Sequence, residues 1–213
     1  MEKISIIIRN KNEAEYIGFA IQSCLDFFEK PQIIIMDNNS RDDSLEIVSL
    51  FSDRTEINVE TIIEYTPGRA INRALNHCKN DLILVLSAHC QIIKMNLDNV
   101  RKSLTKYKAV FGKQIPIYRG KKISTRYIWS HFTDNEQINM FSEIEKRHFF
   151  HNAFAFYQKE FLKENPMPEE VPGKEDRYWA KDIVNLGYEY LYDPLIQVNH
   201  YYTNNGATWK GIG

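Results

Sequence analysis

The sequence predicts an α/β fold built on a mostly parallel central sheet, and three observations carry that reading. Short, predominantly apolar runs recur at Ile4 to Ile8, Gln32 to Met36 and Leu82 to Leu86, the last without a polar residue. Runs of this length rich in Ile, Leu and Val fit strands covered on both faces. Between them lie stretches with helical apolar spacing, so strand and helix alternate as in right-handed βαβ units. The alternation stops near Asn96, beyond which strands dominate. The chain is expected to be one domain over 1–213, with a ligand-binding half at 1–95 and a second half at 96–213 contributing mixed strands.

Each element has its own warrant. After the first strand, which ends at Arg9-Asn10, Asn12 and Glu15 have the spacing of a helix-capping pair. The helix that follows carries Ile17, Ile21, Cys24, Leu25 and Phe28 on one face. The second strand ends at Asp37-Asn38-Asn39-Ser40, and Ser40 is expected to cap a helix with Leu45, Val48 and Phe51 inward. Glu60 to Tyr65 reads as a third strand and Pro67-Gly68 as a turn. Ile71, Ala74, Leu75 and Cys78 line the next helix.

Leu82 to Leu86 then stops abruptly at Ser87-Ala88-His89-Cys90, small and coordinating residues just past the strand's carboxyl end. Ligands of open α/β sheets collect at that edge. In the second half, Leu97, Val100, Leu104 and Tyr107 mark a helix, and Ala109 to Ile117 a strand. Arg119 to Lys122 forms a basic turn, and Ser124 to Lys146 has weak periodicity. Phe149 to Tyr157 reads as a strand and Pro166 to Gly173 as a loop. Asp176 to Leu186 is a helix stopped by Gly187, and strands at Tyr188 to Tyr192 and Ile196 to Tyr201 close the chain.

Composition excludes several function classes. Of the 213 residues 43% are hydrophobic and 26% charged, as in ordinary globular proteins. With 27 basic and 28 acidic residues there is no global field to recruit nucleic acid. No segment approaches a membrane span, and the first apolar run is only strand-length, so no leader is expected. Cys24, Cys78 and Cys90 lack metal-type spacing and read as reduced core thiols in a cytoplasmic setting. The turn Arg9-Asn10-Lys11-Asn12-Glu13 lacks the glycines of a dinucleotide fingerprint, and there is no GxxxxGK[ST]. Dehydrogenase and NTPase chemistry therefore fall away. Polar residues at the ends of the first, second and fourth strands are left to hold a nucleotide.

These landmarks carry a resemblance. Ile4 to Asn12, Ile33 to Ser44, Pro67 to Asn76 and Asp81 to Cys90 resemble, in order, the blocks of family 2 glycosyltransferases, inverting enzymes of the GT-A fold. Val110 to Pro116, Phe150 to Ala155, Gly173 to Ala180 and Asp193 to Thr203, with the Gly-Ile-Gly terminus, resemble the later blocks of bacterial rhamnosyltransferase-like members. The resemblance implies transfer of a sugar from a nucleotide-sugar donor to a glycan or lipid-linked acceptor in surface polysaccharide synthesis. By the same resemblance Asp37 contacts the nucleotide, and Glu175-Asp176 is the acidic pair, with Asp176 the base and Glu175 supporting it. Arg9, Asn10, Asn12, Asn39, Arg69, Ser87, Ala88, His89 and Arg177 fill out the implied nucleotide-sugar site.

One departure stands out. Where the family carries Asp-x-Asp for metal and diphosphate, this chain reads Ser87-Ala88-His89. Two outcomes stay open: His89 and a distant His200 hold Mn²⁺, or no metal is required and a phosphate, for instance of a CMP-sugar, is met by donors alone. Two competing classes remain as well. A degenerate, non-catalytic binding or assembly protein would explain the lost acids, whereas a sugar nucleotidyltransferase would need a glycine-rich loop that is absent. Arg69 and Arg73 read as a solvated helix face unless a phosphate lies near. Tyr127, Trp129, Phe132, Phe149 and Phe150 read as core. Arg119 to Lys122 is expected to touch the inner membrane face.

Overall fold

The architecture grows from strands that are apolar on both sides. In the computed structural model, which describes residues 3–123, 127–204 and 206, β4 (Leu82–Ser87) sends Ile83 and Val85 to one core and Leu84 and Leu86 to the other. β1 (Ile4–Asn10) does the same with Ile7 against Ile6 and Ile8. Period-two side-chain alternation puts neighbouring residues on opposite faces, so a strand without polar residues needs helices on both.

Those helices are present. On one face lie α1 (Ile17–Phe27), α2 (Ser44–Ser49) and α4 (Leu97–Leu104), burying Ile17, Ile21, Cys24, Val48 and Val100. On the other lie α3 (Pro67–Leu75), α5 (Lys159–Glu164) and α6 (Glu175–Asn185), with Ile71, Leu162 and Trp179. The remaining strands are β2 (Gln32–Asp37), β3 (Ile57–Thr61), β5 (Cys90–Lys94), β6 (Ala109–Tyr118), β7 (Lys121–Lys122), β8 (Gln137–Ile138), β9 (Phe141–Ser142), β10 (Arg147–His148), β11 (Phe154–Gln158) and β12 (Leu191–Tyr201).

The main sheet runs β3-β2-β1-β4-β11-β6-β12-β5. Its first four strands are parallel, β11 is antiparallel to both neighbours, β6 and β12 are parallel, and β5 closes the edge antiparallel to β12. A parallel half thus feeds a mixed half through one sheet. β5 follows β4 at once in the chain yet lies at the far edge, so the two halves interleave near residue 90. No helix among the described residues is long and apolar enough to cross a membrane.

Several local expectations need correction. Asn12 and Glu15 do not cap α1, which starts after Tyr16 without a side-chain cap; Asn12, at φ 50°, instead accepts the Arg41 N–H at 2.7 Å. Ser40 does not cap α2 either, because its hydroxyl donates to Asp37 Oδ1 at 2.6 Å. The third strand lies earlier than Glu60 to Tyr65, since pairing with β2 sets Ile33 opposite Ile57 and Asp37 opposite Thr61.

Pro67 opens α3 rather than turning before it: Thr66 caps the helix by accepting the Arg69 N–H, and proline suits a position whose N–H would be unused. Phe149 to Ala153 are not strand, and the two closing strands are one, bent where the register shifts between Asp193 and Gln197. β5 and α5 were not expected. Gly187 ends α6 as read, at φ 85°, with the Tyr188 N–H reaching Ile183 O and the Gly187 N–H reaching Val184 O. The three cysteines are free and buried. The Gly-Ile-Gly terminus lies outside the described residues.

Candidate active site

Because β1, β2 and β4 are parallel, their polar ends share one sheet edge. Asn10 is level with Asp37, and Arg9 with Ser87. A cleft of about 440 Å³ opens there, a size suited to a small-molecule ligand. Its walls include Arg9, Asn10, Ser87, His89, Glu175, Asp176, Arg177 and His200, all singled out by the sequence.

Other candidates stand back from it. Asp37 is buried and accepts hydrogen bonds from Asn10 Nδ2 at 2.9 Å and from the Ser40 N–H at 2.9 Å, which pins the loop that brings Asn38 to the cleft. Ala88 is fully buried, its N–H donating to Arg9 O. Asn39 is exposed at φ 50°. Arg69 turns to Glu64, Glu169 and Glu170, and Arg73 to Glu60. Of the aromatic group, Trp129, Phe132, Phe149 and Phe150 are core, while Tyr127 is exposed and lines the cleft.

The acidic pair owes its position to the start of α6. Lys174, at φ 62°, turns the chain so that Glu175 and Asp176 form the first turn, where the helix dipole favours negative charge. Both are buried. Glu175 Oε1 accepts from Arg9 Nη1 at 2.8 Å and from Asn152 Nδ2 at 3.2 Å. Burial, and then the Asp176 charge, push the Glu175 carboxyl above its ordinary value, with Arg9 and Asn152 opposing.

Asp176 is tied more tightly. Its Oδ2 accepts the Asn152 N–H at 3.1 Å and Arg177 Nη1 at 3.0 Å, and its Oδ1 accepts the Arg177 N–H at 2.9 Å. Arg177 also donates to Phe150 O, lies 3.7 Å from Glu145 and stacks its guanidinium 4.4 Å from the centre of Phe149. Burial works to lower both arginines, but the surrounding carboxylates win and raise them. Arg9 Nε and Arg177 Nε are buried without a hydrogen-bond partner among the described residues.

The Ser87-Ala88-His89 turn has a different geometry. His89 Nδ1 lies 3.2 Å from Glu13 Oε1, and His89 Nε2 lies 3.0 Å from His200 Nε2, whose Nδ1 is 2.7 Å from Gln114. Burial, then His89, hold the His200 imidazole well below its ordinary value, so it is neutral. His200 Nδ1 donates to Gln114 Oε1, which leaves His200 Nε2 to accept from His89 Nε2. Only two nitrogens converge here, Glu13 occupies the far side of His89, and the described residues hold no group of three metal-ligating side chains. This donor set does not fit a protein-held Mn²⁺. Glu13, Asn152, Gln114, His151 and Glu145 escaped the sequence reading. Asn152 sits in a quoted block, but nothing local signals that its side chain turns to the acidic pair.

A profile of glycosyl transferase family 2 matches residues 5–165. The chain belongs to glycosyl transferase family 2. Its domain is thus a transferase domain. TarS of S. aureus, residues 1–349 in complex with UDP-GlcNAc, superposes with a TM-score of 0.73 at 19% identity, covering 99% of this chain and 62% of that one. The mannosyltransferase PcManGT of Pyrobaculum calidifontis, with GDP-Man and Mn²⁺, gives 0.65 at 17% identity, covering 95% and 58%. GalNAc-T7 with UDP, GalNAc and Mn²⁺ gives 0.69 at 14% identity, covering 97% and 45%. The chain spans about three fifths of the length of the TarS 1–349 structures it matches. No curated protein sequence matches it.

Proposed function

We propose that this family 2 domain transfers a sugar from a nucleotide-sugar donor to a hydroxyl of a glycan or lipid-linked acceptor, inverting the anomeric carbon. The observation that carries the reading is the cleft itself. It joins the polar ends of β1 and β4 to an acidic pair at the start of α6, with Arg9 paired to Glu175 and Arg177 to Asp176. Relatives of this fold hold UDP-GlcNAc and GDP-Man, which supplies the donor class.

Inversion needs a base within hydrogen-bond reach of the acceptor hydroxyl and stabilisation of the departing phosphate on the opposite face. The acidic pair supplies the first. Arg9, Lys11 and Lys174 on the cleft wall are the cations available for the second. Asn10 and Asn38 are placed to meet the nucleoside, and Asp37, with Asn12 and Ser40, braces that loop. No step is routed through a metal, since the His89 and His200 pair does not fit one. A rhamnosyltransferase-like role in surface polysaccharide synthesis, at the cytoplasmic membrane face, extends the proposal. Arg119 to Lys122, an exposed turn with Arg119 over Tyr118, is the segment that would meet anionic lipid.

The test is a thermal-shift panel of UDP, GDP, CDP, dTDP and CMP, with and without Mn²⁺. One nucleoside diphosphate at a hundred times its Kd should stabilise the fold by about 2.7 kcal/mol, with little change on adding chelator. Silence across the panel would favour the non-catalytic reading that the missing Asp-x-Asp raises. Cosedimentation with anionic vesicles at low salt tests the membrane face.

A further inference from the structure

Four side chains from four parts of the fold meet in a row across the cleft floor. Glu13 comes from the loop after β1, His89 from the turn between β4 and β5, His200 from β12 and Gln114 from β6. Glu13, Gln114 and His200 are buried, and the edge of Trp129 packs on the His200 ring at 5.4 Å.

The partners fix the hydrogens one after another. His200 is kept neutral by burial, so its ring has one donor and one acceptor. Nδ1 gives its hydrogen to Gln114 Oε1, which leaves Nε2 to accept from His89 Nε2. His89 Nδ1 then faces Glu13 Oε1 at 3.2 Å, and Thr203 Oγ1 donates to that same oxygen at 3.2 Å. Two bare acceptors would repel at such a distance, so a hydrogen also lies between His89 and Glu13. All four ring nitrogens of the two histidines are engaged by side chains of the row.

We propose that this row takes the part of a metal ion, bracing the Ser87-Ala88-His89 turn against β12 and β6 while leaving the cleft floor no site for a divalent cation. Glu13 and Gln114 are then positioning residues, acting through His89 and His200. What the brace holds in place is visible in the backbone. The turn sets the Ala88 N–H on Arg9 O and the Ser87 N–H on Ala153 O, and Arg9 and Asn152 in turn grip Glu175. A turn that slipped would carry the acidic pair's partners with it. This role in turnover rests on the transferase reading above, whereas the row itself does not.

The experiment observes protein labelled with ¹⁵N histidine by NMR, which tells a protonated ring nitrogen from a bare one. Beside it, the EPR signal of free Mn²⁺ is followed as protein is added, and hydrolysis of UDP-GlcNAc and GDP-mannose is measured in chelator and in Mn²⁺. In the unaltered protein His200 should carry its hydrogen on Nδ1 with Nε2 bare, and His89 should carry one on Nε2. The Mn²⁺ signal should not fall at equimolar protein, and hydrolysis should run equally in chelator and in Mn²⁺.

Gln114 is buried behind His200 rather than on the cleft wall, so its variants probe the row without touching a ligand. Gln114→Leu should move the His200 hydrogen to Nε2 and lower kcat by about 10²-fold, the cost of a small misplacement, with UDP affinity kept. Gln114→Glu, which retains an acceptor oxygen, should restore both the Nδ1 hydrogen and the rate. A His200 hydrogen on Nε2 in the unaltered protein overturns the proposal. So does capture of Mn²⁺ that shifts the His89 and His200 ring signals, or a Gln114→Leu protein that moves the hydrogen yet turns over at the original rate. If no nucleotide binds, the transferase reading falls, and NMR and EPR still decide whether the row stands and excludes the metal.

Discussion

At the scale of single residues, the cleft keeps imidazoles neutral and a carboxyl protonated longer than usual, and these effects have opposite signs. His151 accepts the Ala153 N–H on Nδ1 at 3.2 Å. Burial first, then Arg177 and Arg9, hold it well below the ordinary 6.5. The unfolded chain therefore binds a proton that the folded one refuses. The stability this contributes is fully present above 6.5 and is lost as pH falls through that value toward the folded pKa. Urea midpoints should drop between about pH 7 and pH 5.5, and His151→Gln should flatten that slope. A variant with an unchanged slope would remove His151 from the account. Glu175 works the other way, its raised carboxyl favouring the fold less as pH climbs above 4.5.

The same residues show what the sequence could and could not reveal. Arg9, His89 and Asp176 end strands or start a helix and were legible. Glu13 and Asn152 act through partners 76 and 23 positions away, and no local spacing encodes such contacts.

Among elements, those fixed by periodicity were legible and those fixed by long-range pairing were not. β1, β2, β4, α3 and α6 carry their signal in their own side chains. β5 reads as a polar tail of β4, and only its pairing with β12, through His200 opposite Cys90, makes it a strand. Phe149 to Ala153 looked extended because it is aromatic. Its backbone lies outside the sheet, where Phe149 contacts the Arg177 guanidinium and stacks on the parallel ring of His131 at 4.0 Å.

Glycine marks another long-range contact. A Cβ on Gly68 would lie 2.1 Å from Pro168 O, so α3 approaches the loop leading to α6 closely enough to exclude a methyl group. Asn72 reinforces the junction, donating to Met167 O and accepting the Met167 N–H. Gly68→Ala is expected to cost about 1–3 kcal/mol, lowering the melting temperature by several degrees, and to slow turnover by shifting α6. Gly187→Ala, strained only by its positive φ, should cost about 1 kcal/mol and leave turnover unchanged. Equal effects of the two on activity would break the link between the Gly68 contact and the acidic pair.

On the scale of the whole molecule, one sheet carries both halves, and its order predicts where the protein is hardest to open. β1 and β4 have neighbours on both sides and helices on both faces, and Ile6, Ile7, Val85 and Leu86 have no exposed surface. β11 closes against β4, setting Phe154 opposite Leu86 and Phe156 opposite Leu84. Among the described residues β3 is an edge strand paired only with β2, and its Val59 is 47% exposed. Amides open locally in proportion to how little packing guards them. Native-state hydrogen exchange should therefore find its slowest amides across β1, β4 and β11, exchanging only through global unfolding, while β3 exchanges through smaller openings.

The Arg9 to Glu175 pair adds a testable twist, because it fastens the end of β1 to the start of α6 across 166 residues. Breaking one side of a buried pair typically costs about 3–5 kcal/mol. Arg9→Met should therefore lower the global limit seen in β1 and β4, and it should release the first turn of α6 by more than that. If α6 kept wild-type protection in Arg9→Met, the pair would be a passenger and the helix would be held by Trp179 and the core alone. If β3 proved as protected as β4, unfolding would be all-or-none throughout, and the parallel half could not yield locally to admit a nucleotide.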